Sequence, residues 1–121
     1  RARTKSNSVN ETKELINKKR IALMKKSAII VNVARGAVTD ESALADAILN
    51  KQIGGLGVDV YSTEPFPADH PFSKIMHLDN VCLTPHMAWG AYEARVRCLS
   101  EIVENIKSFK NGETRSRVDL L

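Results

Sequence analysis

Four polar side chains follow the three most strand-like segments of this sequence, and their types suit the chemistry of a small anionic substrate. Arg35 comes after the first segment. Asp59 lies at the end of the second segment, and Glu64 follows five residues later. His86 comes after the third segment. The planar guanidinium of arginine binds carboxylates well, and histidine moves protons near neutral pH. A carboxylate on the second ring nitrogen would orient the histidine. The set indicates proton transfer on a substrate that carries a carboxylate.

Each of these residues also has an ordinary structural interpretation. The Arg35-Gly36 pair could be a simple turn, Asp59 could cap backbone amides, and a histidine after a proline is often only a loop residue. Such residues at the ends of three segments together favour a functional site over three unrelated loops.

Three short apolar segments must position these side chains: Ala28–Val33, Leu56–Val60 and Val81–Thr84. Their apolar residues run on almost without interruption, a pattern typical of strands that are covered on both faces of a parallel sheet. In open parallel sheets, ligands bind beyond the carboxyl ends of the strands. We therefore expect the four polar side chains to meet at one edge of the sheet.

A short helix is predicted before the first strand. Asn17 can cap its first turn, and Lys25 and Lys26 suit its last turn. The apolar face of this helix would consist of Ile21, Leu23 and Met24.

A second helix is predicted between the first two strands. It would begin at Thr39-Asp40-Glu41, which supplies capping oxygens and an acidic first turn, and Gly54 or Gly55 would end the unit. Its apolar stripe would consist of Leu44, Ala47 and Ile48.

The longest helix should run from about Trp89 to Lys110, because apolar residues recur there at steps of three and four. Gly112 would stop it. Strands that alternate with helices predict an α/β fold with a parallel sheet.

Composition limits the class of protein. The chain has 121 residues, a net charge of +4 and 43% hydrophobic residues, which indicates one globular domain rather than a disordered tail. We expect no membrane span and no metal site. The two cysteines, Cys82 and Cys98, are expected to be reduced packing residues of a cytoplasmic protein.

The first 26 residues carry nine basic and two acidic side chains and could attract phosphates. We interpret residues 1–8 as a poorly ordered basic leader and the following lysines as solvated helix faces. No aromatic side chain in this region could stack on bases, so we expect no nucleic-acid partner.

Three segments resemble the D-isomer-specific 2-hydroxyacid dehydrogenases, in the same order and spacing: Asn32–Asp40, Gly57–Pro65 and Leu83–Trp89. The resemblance extends from about Val9 to Phe109. It implies a partial Rossmann-type parallel sheet of about three strands, flanked by helices and followed by a long C-terminal helix.

The resemblance also implies roles for the residues at the strand ends. Arg35 would bind the substrate carboxylate, His86 would be the acid/base, and Glu64 would be its partner. NAD is the implied cofactor, with NADP as the alternative. The residues expected to face its nicotinamide end are Ala34, Arg35, Asp59, His86 and Ala88.

Two details indicate a branch of the family. Formate dehydrogenases have a glutamine as the histidine's partner, and Glu64 argues against that reaction. The segment His86-Met-Ala-Trp89 is most similar to glycerate dehydrogenases and hydroxypyruvate reductases. Trp89 could alternatively be a packing residue at the start of the long helix.

The chain lacks the glycine-rich G-x-G-x-x-G turn that binds the cofactor's pyrophosphate in this family. We therefore expect residues 1–121 to be the C-terminal half of a dinucleotide-binding domain, with residues 111–121 leading toward a substrate domain. Alone, it should bind cofactor weakly and turn over little of its 2-keto or 2-hydroxy acid substrate.

Two expectations concern assembly and an alternative function. The outer edge of Ala28–Val33 would be unpaired, which favours a homo-oligomer. The same fold occurs in dehydrogenase-like transcriptional corepressors, so a non-catalytic protein-interaction module is the alternative to an enzyme.

Overall fold

The computed structural model describes residues 2–3 and 12–116. The chain divides into two compact units, one ending at Met87 and the other beginning at Ala88. The first unit contains the sheet and almost all of the predicted site residues, and the second contains the long helix.

The first unit contains a parallel sheet with the strand order β1-β2-β3-β4. The strands are β1 (Ala2–Arg3), β2 (Ile29–Asn32), β3 (Gly55–Val58) and β4 (Val81–Leu83). Strands β2, β3 and β4 confirm the three predicted strands and their parallel arrangement, with each strand one or two residues shorter than its apolar segment. Their carboxyl ends therefore lie at the same edge of the sheet.

The first strand corrects an expectation about the edge of β2. Ala2 pairs with Ile30 and Arg3 with Val31, so β2 has a neighbour at these two positions, and the prediction of an unpaired edge is wrong there. Strand β1 also lies within the predicted leader, of which residues 1 and 4–8 are outside the described residues.

Helix α2 (Glu41–Leu49) packs against one face of the sheet and contributes more residues to the core than any other element. Its predicted stripe is confirmed, because Leu44, Ala47 and Ile48 are all buried. They share the core with apolar residues of the sheet, of the 3₁₀ turn Pro71–Lys74 and of the preceding helix, among them Ile30, Leu56, Val58, Phe72, Ile75 and Ile21.

The opposite face of β2 is open to solvent. Ile29, Val31 and Val33 are exposed, whereas Ile30 and Asn32 between them are buried. The expectation that apolar residues on both faces would be covered is therefore wrong for β2, since only one of its faces contributes to the described core.

Helix α1 (Lys18–Ile21) is much shorter than predicted. The Asn17 cap is confirmed, with its side-chain oxygen accepting a hydrogen bond of 3.2 Å from the Arg20 amide. The helix ends at Ile21, so Lys25 and Lys26 lie beyond its last turn. Leu23 is 87% exposed and does not belong to an apolar face, because the chain has already left the helix.

The end of α2 also differs from the prediction. Its start is as expected, since the Asp40 side chain accepts a hydrogen bond of 2.9 Å from the Ala43 amide. It ends at Leu49 rather than at Gly54 or Gly55, because Asn50 caps it through a hydrogen bond to the Asp46 carbonyl.

The second unit contains helix α3 (Tyr92–Lys110), which begins three residues later than predicted and ends where predicted. Gly112 adopts a φ of 75°, a left-handed conformation that suits glycine. The Gly112 amide bonds the Phe109 carbonyl and the Glu113 amide bonds the Ser108 carbonyl, which together close the helix end. Residues 117–121 of the predicted tail lie outside the described residues.

Two further features concern function. Cys82 and Cys98 are free thiols, and both are exposed, so the prediction that they are packing residues is wrong. Among the described helices, none combines the length and apolar character that crossing a bilayer requires.

Candidate active site

The predicted site residues of the first unit follow its strands directly. Arg35 comes three residues after β2, Asp59 comes one residue after β3, and His86 comes three residues after β4. Glu64 lies on the loop that leaves β3. The parallel sheet thus brings three chain segments, with their four polar side chains, to one edge, as the sequence predicts.

His86 and Glu64 form the central pair of this edge. His86 Nδ1 lies 2.8 Å from Glu64 Oε2, and the two side chains are 42% and 36% exposed. Because a carboxylate can only accept, Nδ1 carries the proton and donates it to Glu64. In the neutral ring Nε2 is then the basic nitrogen, the arrangement that a general acid/base needs.

Glu64 is itself held by the backbone. Its other oxygen, Oε1, accepts a hydrogen bond of 2.9 Å from the Tyr61 amide, three residues earlier in the same loop. The Tyr61 amide and then the His86 ring lower the pKa of the Glu64 carboxyl below its ordinary value, because both donate to the charged form. Glu64 is therefore a stable anion at neutral pH.

The backbone around His86 is also constrained. His86 has a φ of 56°, a left-handed conformation that is uncommon outside glycine and often occurs at functional sites. Asp59, only 3% exposed, holds the segment on both sides: its Oδ1 accepts hydrogen bonds of 2.6 Å from Thr84 Oγ1 and 2.8 Å from the Met87 amide. Asp59 thus fixes the turn that presents His86.

Tyr61 joins the Glu64 loop to the end of β4. Its hydroxyl donates a hydrogen bond of 2.9 Å to the Thr84 carbonyl. Burial, and then the negative charges of Asp59 and Glu64, raise the pKa of the Tyr61 hydroxyl. The phenol therefore keeps its proton and remains a donor.

Asn32 shapes the turn that carries Arg35. Asn32 is 1% exposed; its side-chain oxygen accepts from the Ala34 amide at 3.1 Å, and its nitrogen donates to the Arg35 carbonyl at 3.0 Å. The Arg35 side chain is exposed, and its guanidinium donates to the Ala34 carbonyl at 2.7 Å. A cation is thus presented at the end of β2.

Gly36 connects the Arg35 turn with the Glu64 loop. A Cβ added at Gly36 would lie 2.0 Å from the Tyr61 carbonyl carbon and 2.2 Å from the Ser62 nitrogen. The two backbones therefore lie against each other at a separation that only glycine allows. This contact links the segment of the cation with that of the carboxylate.

A cleft of about 430 Å³ borders the His86–Glu64 pair. Most of its lining is apolar, a character typical of clefts that bind small molecules. The lining residues besides the pair are Tyr61, Pro65, Phe66, Met76, Leu83, Thr84 and Pro85.

The structure brings Glu64 and His86 into direct contact, and Asp59 holds the chain on both sides of His86. The turn that carries Arg35 meets the loop that carries Glu64 through the backbone contact of Gly36. Ala88, the remaining predicted cofactor residue, opens the second unit. The described residues contain no cluster of three His, Cys, Asp or Glu side chains that could hold a metal ion.

Sequence reasoning missed Asn32 and Tyr61 as organisers of the site. Asn32 could have been found, since it is the one polar residue in the apolar segment Ala28–Val33. A buried polar side chain in a strand needs specific partners. Tyr61 gave no such signal, because an aromatic residue after a strand is an ordinary packing residue.

Comparison with known proteins identifies the family. Residues 6–88 match the family described as D-isomer specific 2-hydroxyacid dehydrogenase, NAD binding domain. A glyoxylate reductase of Thermococcus kodakarensis is 45% identical over 103 residues, covering 85% of this chain and 30% of that protein. A glycerate dehydrogenase of Methylorubrum extorquens is 38% identical over 109 residues, covering 90% of this chain and 34% of that protein.

A solved structure gives the same result. The D-isomer specific 2-hydroxyacid dehydrogenase from Xanthobacter autotrophicus Py2, crystallised with NADPH and MES, has a TM-score of 0.72 and 36% identity, over 91% of this chain and 43% of that one. The chain spans about a third of the length of the curated relatives named above. Since the family match covers more than half of its residues, the chain belongs to the D-isomer specific 2-hydroxyacid dehydrogenases and contains part of their NAD-binding domain.

Proposed function

We propose that this chain is the part of an NAD-dependent oxidoreductase that carries its acid/base pair, and that the enzyme interconverts a small 2-keto acid and its D-2-hydroxy acid. The observation that carries the proposal is the 2.8 Å hydrogen bond between His86 Nδ1 and Glu64. This bond assigns the tautomer that acid/base work on a hydroxyl or carbonyl oxygen requires. Glyoxylate and hydroxypyruvate are the proposed 2-keto acids, since relatives are named as a glyoxylate reductase and a glycerate dehydrogenase.

The residues at the strand ends divide the work of keto-acid reduction. The exposed Arg35 guanidinium binds the substrate carboxylate as a planar fork. Protonated His86 gives the proton on Nε2 to the carbonyl oxygen as that oxygen gains charge, and is left as the neutral ring. Glu64, kept anionic by the Tyr61 amide, stabilises the protonated ring before the transfer and holds its orientation afterwards.

The donor set fits the reacting end of a nicotinamide cofactor. When bound, NADH supplies the hydride that reaches the carbonyl carbon. The residues that would hold the nicotinamide are at the Ala34 backbone after β2 and in the turn after β4 that Asp59 holds. The described residues contain no glycine-rich turn for the pyrophosphate, so this chain alone should bind NADH weakly and turn over little substrate.

Complementation tests the proposal. The chain is combined with the N-terminal portion of the Thermococcus kodakarensis glyoxylate reductase, and NADH oxidation is followed with glyoxylate and with hydroxypyruvate. We expect activity from the pair and little or none from either part. His86→Ala should lower kcat by about 100-fold or more, the usual contribution of a general acid.

His77→Ala is the matched control, because His77 is an exposed histidine of the same unit. It should leave the rate unchanged. An active complex in which both histidine variants perform equally would overturn the acid/base assignment. A well-folded complex that binds NADH without reducing either acid would favour the non-catalytic interaction module instead.

A further inference from the structure

A second carboxylate–histidine pair lies beneath the loop that carries Glu64. Glu41, in the first turn of α2, accepts a hydrogen bond of 2.9 Å from the Ser62 amide through Oε1. Its Oε2 accepts from the Ser62 hydroxyl and from His70 Nε2, the latter at 3.1 Å. The Glu41 side chain is only 11% exposed, so these bonds form in a largely desolvated environment.

His70 is fixed in both position and tautomer. Its Nδ1 accepts a hydrogen bond of 3.2 Å from the Phe72 amide, so the neutral ring carries its proton on Nε2 and donates it to Glu41. The ring lies between Phe66 and Phe72, with centroid distances of 4.8 and 5.0 Å. Its side chain is 6% exposed. His70 therefore orients the Glu41 carboxylate from the buried side.

The two acid–histidine pairs act on neighbouring peptide groups. The Tyr61 amide donates to Glu64, and the next amide along the chain, that of Ser62, donates to Glu41. A shift of the Ser62 backbone away from Glu41 would move the Tyr61 donor away from Glu64. The hold of Glu41 on Ser62 therefore helps to keep the Tyr61 amide in place for Glu64.

We propose that Glu41 and His70 are positioning residues of the active site, which hold the Ser62 backbone so that Glu64 stays aligned with His86. The proposal rests on the proposed function for its effect on catalysis, but its structural part does not. Neither residue touches the reacting pair, so both act only through the loop.

The charge environment provides a readout that is independent of activity. The pKa of the Glu64 carboxyl is lowered first by the Tyr61 amide and second by His86, with Asp59 as the opposing negative charge. If Glu41 no longer holds Ser62, the Tyr61 amide is held less firmly, because only the Tyr61 hydroxyl bond to Thr84 and the Gly36 contact then fix that part of the loop. The pKa of Glu64 should then rise toward its ordinary value.

The test measures this pKa by carboxyl ¹³C NMR in the intact 121-residue chain. Glu41→Gln should raise the pKa of Glu64, because an amide nitrogen in place of Oε2 can no longer accept from the Ser62 hydroxyl and His70, so the Ser62 backbone and the Tyr61 amide beside it are held less firmly. Ser62→Ala removes only the hydroxyl donor and should give a smaller rise of the same sign. As an exposed residue, Ser62 also provides a variant that keeps the core intact if Glu41→Gln does not fold.

Two controls separate positioning from general damage. Glu104→Gln makes the same chemical change at an exposed carboxylate of α3 that pairs with Lys107. Thr63→Ala makes the same kind of truncation at the exposed neighbour of Ser62. Both should leave the pKa of Glu64 unchanged. If the pKa is also unchanged in Ser62→Ala and in folded Glu41→Gln, the positioning role is wrong.

Activity in the complemented enzyme gives the second readout. Glu41→Gln should lower kcat by about tenfold while KM changes little, since part of the acid/base contribution is lost but Arg35 still binds the carboxylate. His70→Asn, which keeps an acceptor for the Phe72 amide but loses the donor to Glu41, should act in the same direction. If kcat is unchanged in both variants while the pKa of Glu64 is raised, only the effect of Glu41 and His70 on catalysis is overturned. A complex without any activity would instead overturn the proposed function.

Discussion

Replacing Gly36 with alanine tests the link between the Arg35 turn and the Glu64 loop most directly. The added Cβ would lie 2.0 Å from the Tyr61 carbonyl carbon, 2.2 Å from the Ser62 nitrogen and 2.4 Å from the Tyr61 oxygen. All three are backbone atoms, so no side-chain rotation can relieve the contact. One of the two backbones must move.

The required movement can be read from the structure. Real Cβ contacts do not occur below 3.0 Å, and the nearest atom lies at 2.0 Å, so the two backbones must separate by about 1 Å or more. Overpacking of this kind destabilises a protein by about 3 kcal/mol. Where the Ser62 backbone takes up this displacement, its bond of 2.9 Å to Glu41 is weakened or broken as well.

Urea denaturation followed by circular dichroism measures the loss, and Gly57→Ala is the matched control. A Cβ at Gly57 would meet only the Val31 side chain, at 3.6 Å or more, which is ordinary contact. Alanine there should be neutral or stabilise by about 0.5 kcal/mol, since it restricts the unfolded chain. The reasoning is refuted if Gly36→Ala and Gly57→Ala unfold at the same urea concentration.

Three further predictions concern other parts of the chain. Folding lowers the pKa of the Glu64 carboxyl below its ordinary 4.5. The ionised carboxylate therefore stabilises the fold above pH 4.5, and this stabilisation is lost as the pH falls through the lower pKa of the folded state. Glu64→Gln should flatten the fall in melting temperature at acid pH. Asp59→Ala should destabilise the first unit by about 2 kcal/mol in urea titrations, because the Thr84 hydroxyl and the Met87 amide lose their buried acceptor. Gly112→Ala should lower stability by about 1 kcal/mol in thermal melts, since alanine is strained at a φ of 75°. A melting curve that retains its acid slope, or either alanine variant that matches the unsubstituted chain, would contradict the corresponding argument.

The sheet was predictable because it depends on local rules, whereas the pairing of His86 with Glu64 was expected from the resemblance to the family. Uninterrupted apolar segments predict buried parallel strands, and parallel strands bring their carboxyl ends to one edge. Arg35, Glu64 and His86 could therefore be grouped before any geometry was known. Asp40 and Asn17 were likewise identified as helix caps, because capping depends only on the side chain and its neighbours.

The supporting contacts were not predictable, because they depend on tertiary packing. Nothing near Gly36 in sequence indicates that its Cα lies against the peptide of Tyr61, 25 positions away. The Glu41–His70 bond joins residues 29 positions apart, and the same acidic residue was interpreted only as part of a helix start. Exposure of one face of β2 was missed for a related reason, since an apolar run indicates which strand is buried but not what covers each face.

Two adjacent amides that donate to two different carboxylates have a consequence for motion. A surface loop normally opens easily, and its amide protons exchange quickly with solvent. Here the amide protons of Tyr61 and Ser62 are each bonded at 2.9 Å, the first to Glu64 of the same loop and the second to Glu41 of α2. Each amide exchanges only when its own bond opens, so both should exchange more slowly than the neighbouring amides of the loop, and Ser62, whose acceptor Glu41 is largely buried, more slowly than Tyr61.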